Sequence, residues 1–230
     1  MRDTPRSLML FAAGFGTRMG ALTQDRPKPL VEVAGKPLVD HALALVHEAG
    51  IAKVVANVHY RADQMEAYLA PRGVEISDER AEILETGGGL RKALPQLGTG
   101  PVFTLNTDAV WTGDNVITTL QAAWDGERMD ALVALVSPEQ ALGHPGAGDF
   151  AMAPDGSLTR GTGYIYTGAQ ILVTDGLAEI AEDHFSLNRL WDQMIARGRL
   201  YGVVHRGGWC DVGRPNSISL AEGMLEGAAR

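Results

Sequence analysis

Along this chain, apolar runs with strand character alternate with stretches whose apolar residues recur at helical spacing. A mostly parallel sheet imposes that order on a sequence. Residues 8–13 read as a buried first strand, followed by a long loop rich in Gly and Pro up to Pro37. In residues 38–49, Leu38, Ala42, Leu45, Val46 and Ala49 share one helical face, and Gly50 supplies a stop. The pattern predicts further strands at 53–58, 74–77, 102–105, 131–136 and 200–204. Further helices are expected at 62–69, at 88–97 (opened by three glycines), and at 116–123, 187–196 and 215–228. Residues 209–212 read as the end of a last strand or its loop. After Val136 the rhythm changes. Residues 137–163 are rich in Gly, Pro and Asp with short β-like pieces, which predicts an inserted hairpin region walling a pocket.

The chain shows no repeat, no low-complexity segment and no linker, so one domain over residues 1–230 is expected, with the pocket wall at about 137–168. Hydrophobic residues make up 45% and charged residues 21%, which excludes intrinsic disorder. A net charge of −8 excludes a constitutive nucleic-acid binder, because a phosphate backbone needs a basic face. Phosphorylated small molecules need only two or three aimed cations. A single cysteine, Cys210, excludes an internal disulfide framework and fits a reducing compartment. The apolar run after Arg2 and Arg6 is short for a signal peptide and follows Asp3 and Pro5. No apolar stretch approaches the ~20 residues of a membrane span. A cytoplasmic protein is therefore expected, with no membrane and no nucleic acid among its partners. Glycine is over-used, at 28 of 230 residues against a typical share of about 7%, so many loops must bring backbone close to something.

Four features carry candidate chemistry. Gly14-Phe15-Gly16-Thr17-Arg18-Met19 follows the first strand, but the sixth position is Met and no helix follows at once, so it fails as a dinucleotide fingerprint. Gly35-Lys36 is followed by Pro37 and fails as a Walker loop. What remains is a Gly-rich loop whose N–H groups can cradle phosphates that Arg18 neutralises, or else a mobile surface loop. Lys28 stands between Pro27 and Pro29, on backbone stiffened from both sides, which aims its charge unless the segment is a plain surface turn. Asp108 follows the apolar run 102–105 and Asp211 follows Gly207-Gly208-Trp209-Cys210, at strand ends where ligands of open α/β sheets bind, and two such carboxylates can share a hard cation such as Mg²⁺. Turn or N-cap roles are the commoner fate of an isolated Asp. The six histidines are scattered, so zinc has no cluster. Glu85-Thr86-Gly87-Gly88-Gly89 permits close approach of backbone to a flat base, or starts a helix capped by Thr86, or both.

In order and at close spacing, these motifs resemble the signature of the sugar-1-phosphate nucleotidylyltransferases. The residues that carry the likeness are Leu10 to Met19, Pro27-Lys28-Pro29-Leu30, Gly35-Lys36-Pro37, Glu85 to Gly89, Asn106-Thr107-Asp108 and Trp209 to Gly213. Leu84 to Gly89, Asn106 to Trp111, Gly148-Asp149-Phe150 and Gly208 to Gly213 are most similar to the short members that act on N-acetylmuramate α-1-phosphate with UTP in peptidoglycan recycling. The resemblance implies a Rossmann-like three-layer α/β sandwich with a mixed, mostly parallel central sheet and a small β-rich sugar-binding insertion. It implies that Ala12, Ala13, Gly14, Gly16, Thr17, Arg18, Lys28, Glu85, Gly87 and Gly88 bind the nucleotide. Asn106, Asp149, Thr162 and Gly163 would bind the sugar phosphate, Asp108 and Asp211 would hold Mg²⁺, and Arg18, Lys28 and Asp108 would be catalytic. A nucleoside triphosphate and a sugar 1-phosphate are the implied partners of a monomer or small homo-oligomer. Two departures stand out. Thr107 occupies a position where relatives carry Gly, and the Phe-Glu-Lys-Pro-type lysine of longer relatives has no counterpart, leaving Arg160 and Arg206 as substitutes. Rival readings are a glucose- or mannose-1-phosphate nucleotidylyltransferase, a CTP-using enzyme, and an inactive nucleotide-sugar-binding regulator.

Overall fold

A computed structural model describes residues 5–228 of the chain. Arg2 and Asp3, weighed above for targeting, lie outside the described residues, as do the outer ends of the expected 1–230 domain. The first half comprises β1 (Ser7–Phe11), a small hairpin of β2 (Glu32–Val33) and β3 (Lys36–Pro37), α1 (Leu38–Glu48) and β4 (Lys53–Val58). Then come α2 (Ala62–Leu69), β5 (Glu75–Asp78), α3 (Glu85–Leu97) and β6 (Val102–Asn106). The second half continues through β7 (Ala109–Trp111), α4 (Val116–Ala123), β8 (Ala131–Val136), β9 (Ala141–Leu142) and the strands β10 (Phe150–Met152) and β11 (Leu158–Arg160). It closes with β12 (Ile165–Leu172), α5 (Asn188–Ala196), β13 (Leu200–Val204), β14 (Trp209–Asp211) and α6 (Asn216–Ala228).

The central sheet has the order β13-β8-β12-β6-β1-β4-β5. Six strands run one way; β12 alone runs against its neighbours β6 and β8. Alternation within β1 divides the core. Leu8 and Leu10 join Val39, Leu43 and Val46 of α1 on one face, whereas Met9 joins Leu90 and Ala93 of α3 on the other. Each buried Leu, Val or Met among these is worth about 1.5–3 kcal/mol relative to exposure. Helices on both faces of a mixed sheet make the three-layer sandwich that the motifs implied. A second, small sheet, β7-β14-β9, is backed by α6 and buries Val110, Cys210, Val212 and Ala221 with Met19, Val31, Val33 and Leu38. Burial and the charge of Asp211 push the Cys210 thiol up to about 11, so it is a packing residue and no nucleophile. No helix among the described residues is long and apolar enough to cross a membrane.

Three expectations need correction. β1 stops at Phe11, so Ala12 and Ala13 already belong to the loop, although both are buried. α3 starts at Glu85, with the three glycines inside its first turns. The largest miss is β12. Its sequence, Ile-Tyr-Thr-Gly-Ala-Gln-Ile-Leu, carries Gly168 and Gln170 in the interior; its first half falls in the expected 137–168 wall, and no strand is expected over residues 169–172. Gly168 has a positive φ of 89° within a register shift between Tyr166 and Gln170, so the strand bulges there. Only β10 and β11 are the inserted hairpin; residues 165–172 belong to the central sheet.

Candidate active site

The loop leaving β1 is held from beneath. Ala12 N donates to Asn57 Oδ1 (2.9 Å), and Asn57 Nδ2 donates to Glu79 Oε1 (2.8 Å). Leu84 N donates to Glu79 Oε2 (3.1 Å), so the fully buried carboxylate is bonded on both oxygens. Asn57 lies opposite Phe11 in the parallel β1–β4 register, which delivers it to the right height. Above this support opens a cavity of about 230 Å³, lined by Ala12, Ala13, Gly14, Lys28, Asn57, Glu79, Glu85, Thr86 and Asp108 among others. Glu85 adopts a left-handed conformation (φ 59°) at the start of α3, a strained geometry for a residue with a side chain.

The Gly-rich loop folds back over Lys28. Gly16 has φ 64°, and a Cβ built on it would lie 2.9 Å from the Lys28 Cβ. Thr23 Oγ1 donates to Gly16 O (3.0 Å) and closes the curl. Lys28 is only 8% exposed, and its Nζ donates to Asp108 Oδ2 at 2.9 Å. Thr17 and Arg18 stay exposed, so their donors remain available to a ligand.

Strand pairing gathers the two aspartates. Asp211 ends β14 opposite Ala109 of β7, and Val212 N donates to Asp108 O (2.8 Å). Burial raises the pKa of Asp211, and the charge of Asp108 raises it further; Lys28, Arg18 and His144 pull the other way. His144 Nδ1 lies 3.7 Å from Asp211 Oδ2. A carboxylate whose charge is opposed by burial and by a neighbouring carboxylate suits a cation shared with that neighbour. The donors are oxygen only, and the described residues hold no cluster of three or more His, Cys, Asp or Glu, so phosphate oxygens and water would complete the shell. That donor set fits Mg²⁺.

A second cavity, of about 240 Å³, shares Phe11, Thr86 and Asn106 with the first and adds Asp149, Arg160, Tyr166, Asn188 and Trp191. Asp149 Oδ2 accepts from Tyr166 N (2.8 Å), which fixes the carboxylate at the edge of β12. Residues 8–160 match the MobA-like NTP transferase domain.

The chain belongs to the MobA-like NTP transferase family.

Among its relatives, an N-acetylmuramate alpha-1-phosphate uridylyltransferase of Caulobacter vibrioides is 43% identical over 240 residues, covering 98% of this chain and 99% of that protein. One of Neisseria meningitidis is 35% identical, covering 94% of this chain and 96% of that protein. The fold matches a putative glucose-1-phosphate thymidylyltransferase from Bacillus anthracis in complex with a sucrose (TM-score 0.80, 16% identity, 95% of this chain and 94% of that one). It also matches HddC from Yersinia pseudotuberculosis complexed with GMP-PN (TM-score 0.76, 20% identity, 98% and 100%).

In this MobA-like NTP transferase the proposed nucleotide residues divide. Ala12, Ala13, Gly14, Lys28 and Glu85 line the first cavity, with Gly16 closing on Lys28 and Arg18 beside Gly213. Gly87 and Gly88 do not line it. A Cβ on Gly87 would lie 2.3 Å from the Phe185 ring, and one on Gly88 would lie 2.2 Å from Asp183 O. Their N–H groups both donate to Phe185 O (2.8 and 3.1 Å). The close approach expected at these glycines is made by the protein's own 183–185 segment. Thr107 turns its hydroxyl to Phe11 O (2.8 Å), so it ties β6 to β1 and leaves the aspartates unobstructed. Asn106 and Asp149 meet in the second cavity, whereas Thr162 and Gly163 are exposed and line neither cavity. Of the two substitute cations, Arg160 lines the second cavity; Arg206 is exposed outside both. Sequence reading missed Asn57 and Glu79. Asn57 is the one polar residue in the apolar run 54–58, and that interruption was the available signal.

Proposed function

We propose that this chain joins UTP to N-acetylmuramate α-1-phosphate, releasing UDP-N-acetylmuramate and pyrophosphate. The observation that carries the reading is the pair of cavities meeting at Phe11, Thr86 and Asn106, with the Lys28–Asp108 pair on the first of them. On this reading the first cavity takes the nucleotide end and the second the sugar, with the phosphates beside Lys28 and Asp108. The near full-length similarity to two uridylyltransferases of that name supports this choice of nucleotide and sugar. UTP is a cytoplasmic metabolite, and we place the reaction there.

The chemistry needs no general base, since a phosphate oxygen of the sugar 1-phosphate is already ionised at neutral pH. That oxygen attacks the α-phosphorus of UTP in line. The new O–P bond forms as the bond from the α-phosphorus to the bridging oxygen breaks, and pyrophosphate leaves with the electron pair. Two polyanions repel each other, so the work of the protein is alignment and neutralisation. Lys28 meets the triphosphate from its stiffened backbone. Arg18 meets phosphate oxygens from the exposed rim, together with N–H groups of the Gly16–Thr17 curl. Asn106 and Asp149 orient the sugar. Asp108 and Asp211 would hold Mg²⁺, which when bound offsets phosphate charge.

The test is a grid of the four nucleoside triphosphates against N-acetylmuramate, N-acetylglucosamine, glucose and mannose 1-phosphates, read by pyrophosphate release. Clear preference for UTP with N-acetylmuramate 1-phosphate is expected. Preference for glucose or mannose 1-phosphate overturns the choice of sugar, and no pyrophosphate with any pair overturns the reaction.

A further inference from the structure

We infer that Arg160 reads the carboxylate of the lactyl arm of N-acetylmuramate, and so selects this sugar over neutral hexose phosphates. The inference rests on the reaction proposed above.

The two cavities separate the charges. Lys28 and Asp108 line the first cavity only, and Arg160 lines the second only. The reacting 1-phosphate belongs beside Lys28 and the aspartate pair. Arg160 stands in the sugar cavity away from that phosphate and, though paired with Asp192, keeps one guanidinium nitrogen without an acceptor among the described residues for a second anion on the sugar. N-acetylmuramate differs from N-acetylglucosamine by an ether-linked lactate on O3, whose carboxylate is ionised at neutral pH.

Arg160 is fixed as a recognition group would be. Its Nε and Nη2 donate to Asp192 Oδ1 (3.0 and 2.8 Å), and Nη2 also donates to Asn188 O (3.3 Å). The guanidinium lies 5.1 Å from the Phe150 ring and 5.5 Å from the Trp191 ring, and Trp191 is pinned by its Nε1 donating to Gln170 Oε1 (2.9 Å). Nη1 meets no acceptor among the described residues, so two of the five N–H donors of arginine stay open. Asp192 is 60% exposed and holds the arginine from the solvent side. Asp149 places a negative charge in the same cavity. Without Arg160 that charge would disfavour any acidic sugar; with it, Asp149 can accept from a sugar hydroxyl while the guanidinium meets the carboxylate.

The experiment compares wild type, Arg160→Gln, Arg160→Lys and Asp192→Asn with N-acetylmuramate 1-phosphate and with N-acetylglucosamine 1-phosphate. Turnover at saturating UTP is measured together with calorimetric binding of each sugar phosphate. Arg160→Gln should raise the KM for the acidic sugar by about ten- to a hundredfold, the value of one charge-assisted contact. The neutral sugar and the KM for UTP should stay within about twofold, and Arg160→Lys should recover part of the loss. A general folding defect would depress both sugars together, and the melting temperature would report it independently; Asp192→Asn, which keeps the cation, should retain the preference. If Arg160→Gln weakens both sugars equally in a folded protein, the arginine serves the phosphate or the fold, and the inference is overturned. If its preference for the acidic sugar is unchanged, the inference is also overturned. If wild type itself shows no preference for the acidic sugar, the proposed substrate fails instead.

Discussion

Lys28 Nζ donates to Asp108 Oδ2 at 2.9 Å, beneath a loop that closes on the lysine because Gly16 has no side chain. In the proposed reaction, an incoming triphosphate would share this lysine with the aspartate. Lys28→Ala should raise the KM for UTP by about tenfold or more and lower kcat as well, since the contact tightens on charge in the transition state. Steady-state kinetics check it; unchanged constants remove Lys28 from the site. Gly16→Ala should cost about 1–2 kcal/mol in stability through its positive φ, besides pushing on Lys28.

Asp108→Asn and Asp211→Asn should each lower turnover by about a hundredfold or more while the fold survives. Chelation should abolish activity, with recovery on adding Mg²⁺. The two variants should differ in stability. The pKa of Asp211 is raised in the folded chain, so its charge opposes folding at neutral pH. Asp211→Asn should therefore melt a few degrees higher than wild type in metal-free buffer. Calorimetry decides the matter, and a lower melting temperature contradicts it.

Asn57→Leu keeps the bulk and deletes both hydrogen bonds that link Ala12 N to Glu79. It strands a buried carboxylate and should cost about 3 kcal/mol or more. The double variant Asn57→Leu, Glu79→Gln should regain part of this, because the charge is gone. Urea unfolding curves measure both.

Burial lowers the pKa of His205 and of His41. Above about pH 6.5 both are neutral in folded and unfolded chains and contribute nothing. Below that value the unfolded chain takes up protons first, so stability falls with pH until the native groups also titrate. The urea midpoint should drop between pH 7.5 and 5.5, and His205→Gln should flatten the drop. An identical slope in the variant would rule out His205 as a source.

Much of the architecture was legible because short-range patterning governs it. The strands at 53–58, 131–136 and 200–204 and the helices at 62–69 and 116–123 have the bounds expected from apolar spacing alone. β12 was not, since Gly168 and Gln170 break the apolar run. Gln170 is nonetheless fully buried, satisfied by Thr104 and Trp191, partners 66 and 21 residues away. The site divides in the same way. The placement of Lys28 was legible from Pro27 and Pro29, that of Asp108 from the end of its apolar run, and that of Asp211 from the Gly207-Gly208-Trp209-Cys210 segment before it. Glycines look alike in sequence whether a ligand or the protein fills the space before them. Gly16 spares Lys28 and Gly87 spares Phe185, and only three-dimensional placement separates the two. Asn57 and Glu79 act through a chain of hydrogen bonds that no local spacing records.

The lone antiparallel strand also sets an order of events during synthesis. β1, β4, β5 and β6 can pair as soon as residue 106 has emerged, but β8 reaches that group only through β12, and β12 is complete only at residue 172. Asp108 is thus made early, on an unfinished sheet edge, while its partner Asp211 arrives some hundred residues later, on the last strand. A nascent chain shorter than 211 residues lacks the second carboxylate. The proposed cation site can therefore assemble only after β14 has been made, whereas every residue lining the first cavity is already present once Asp108 has emerged.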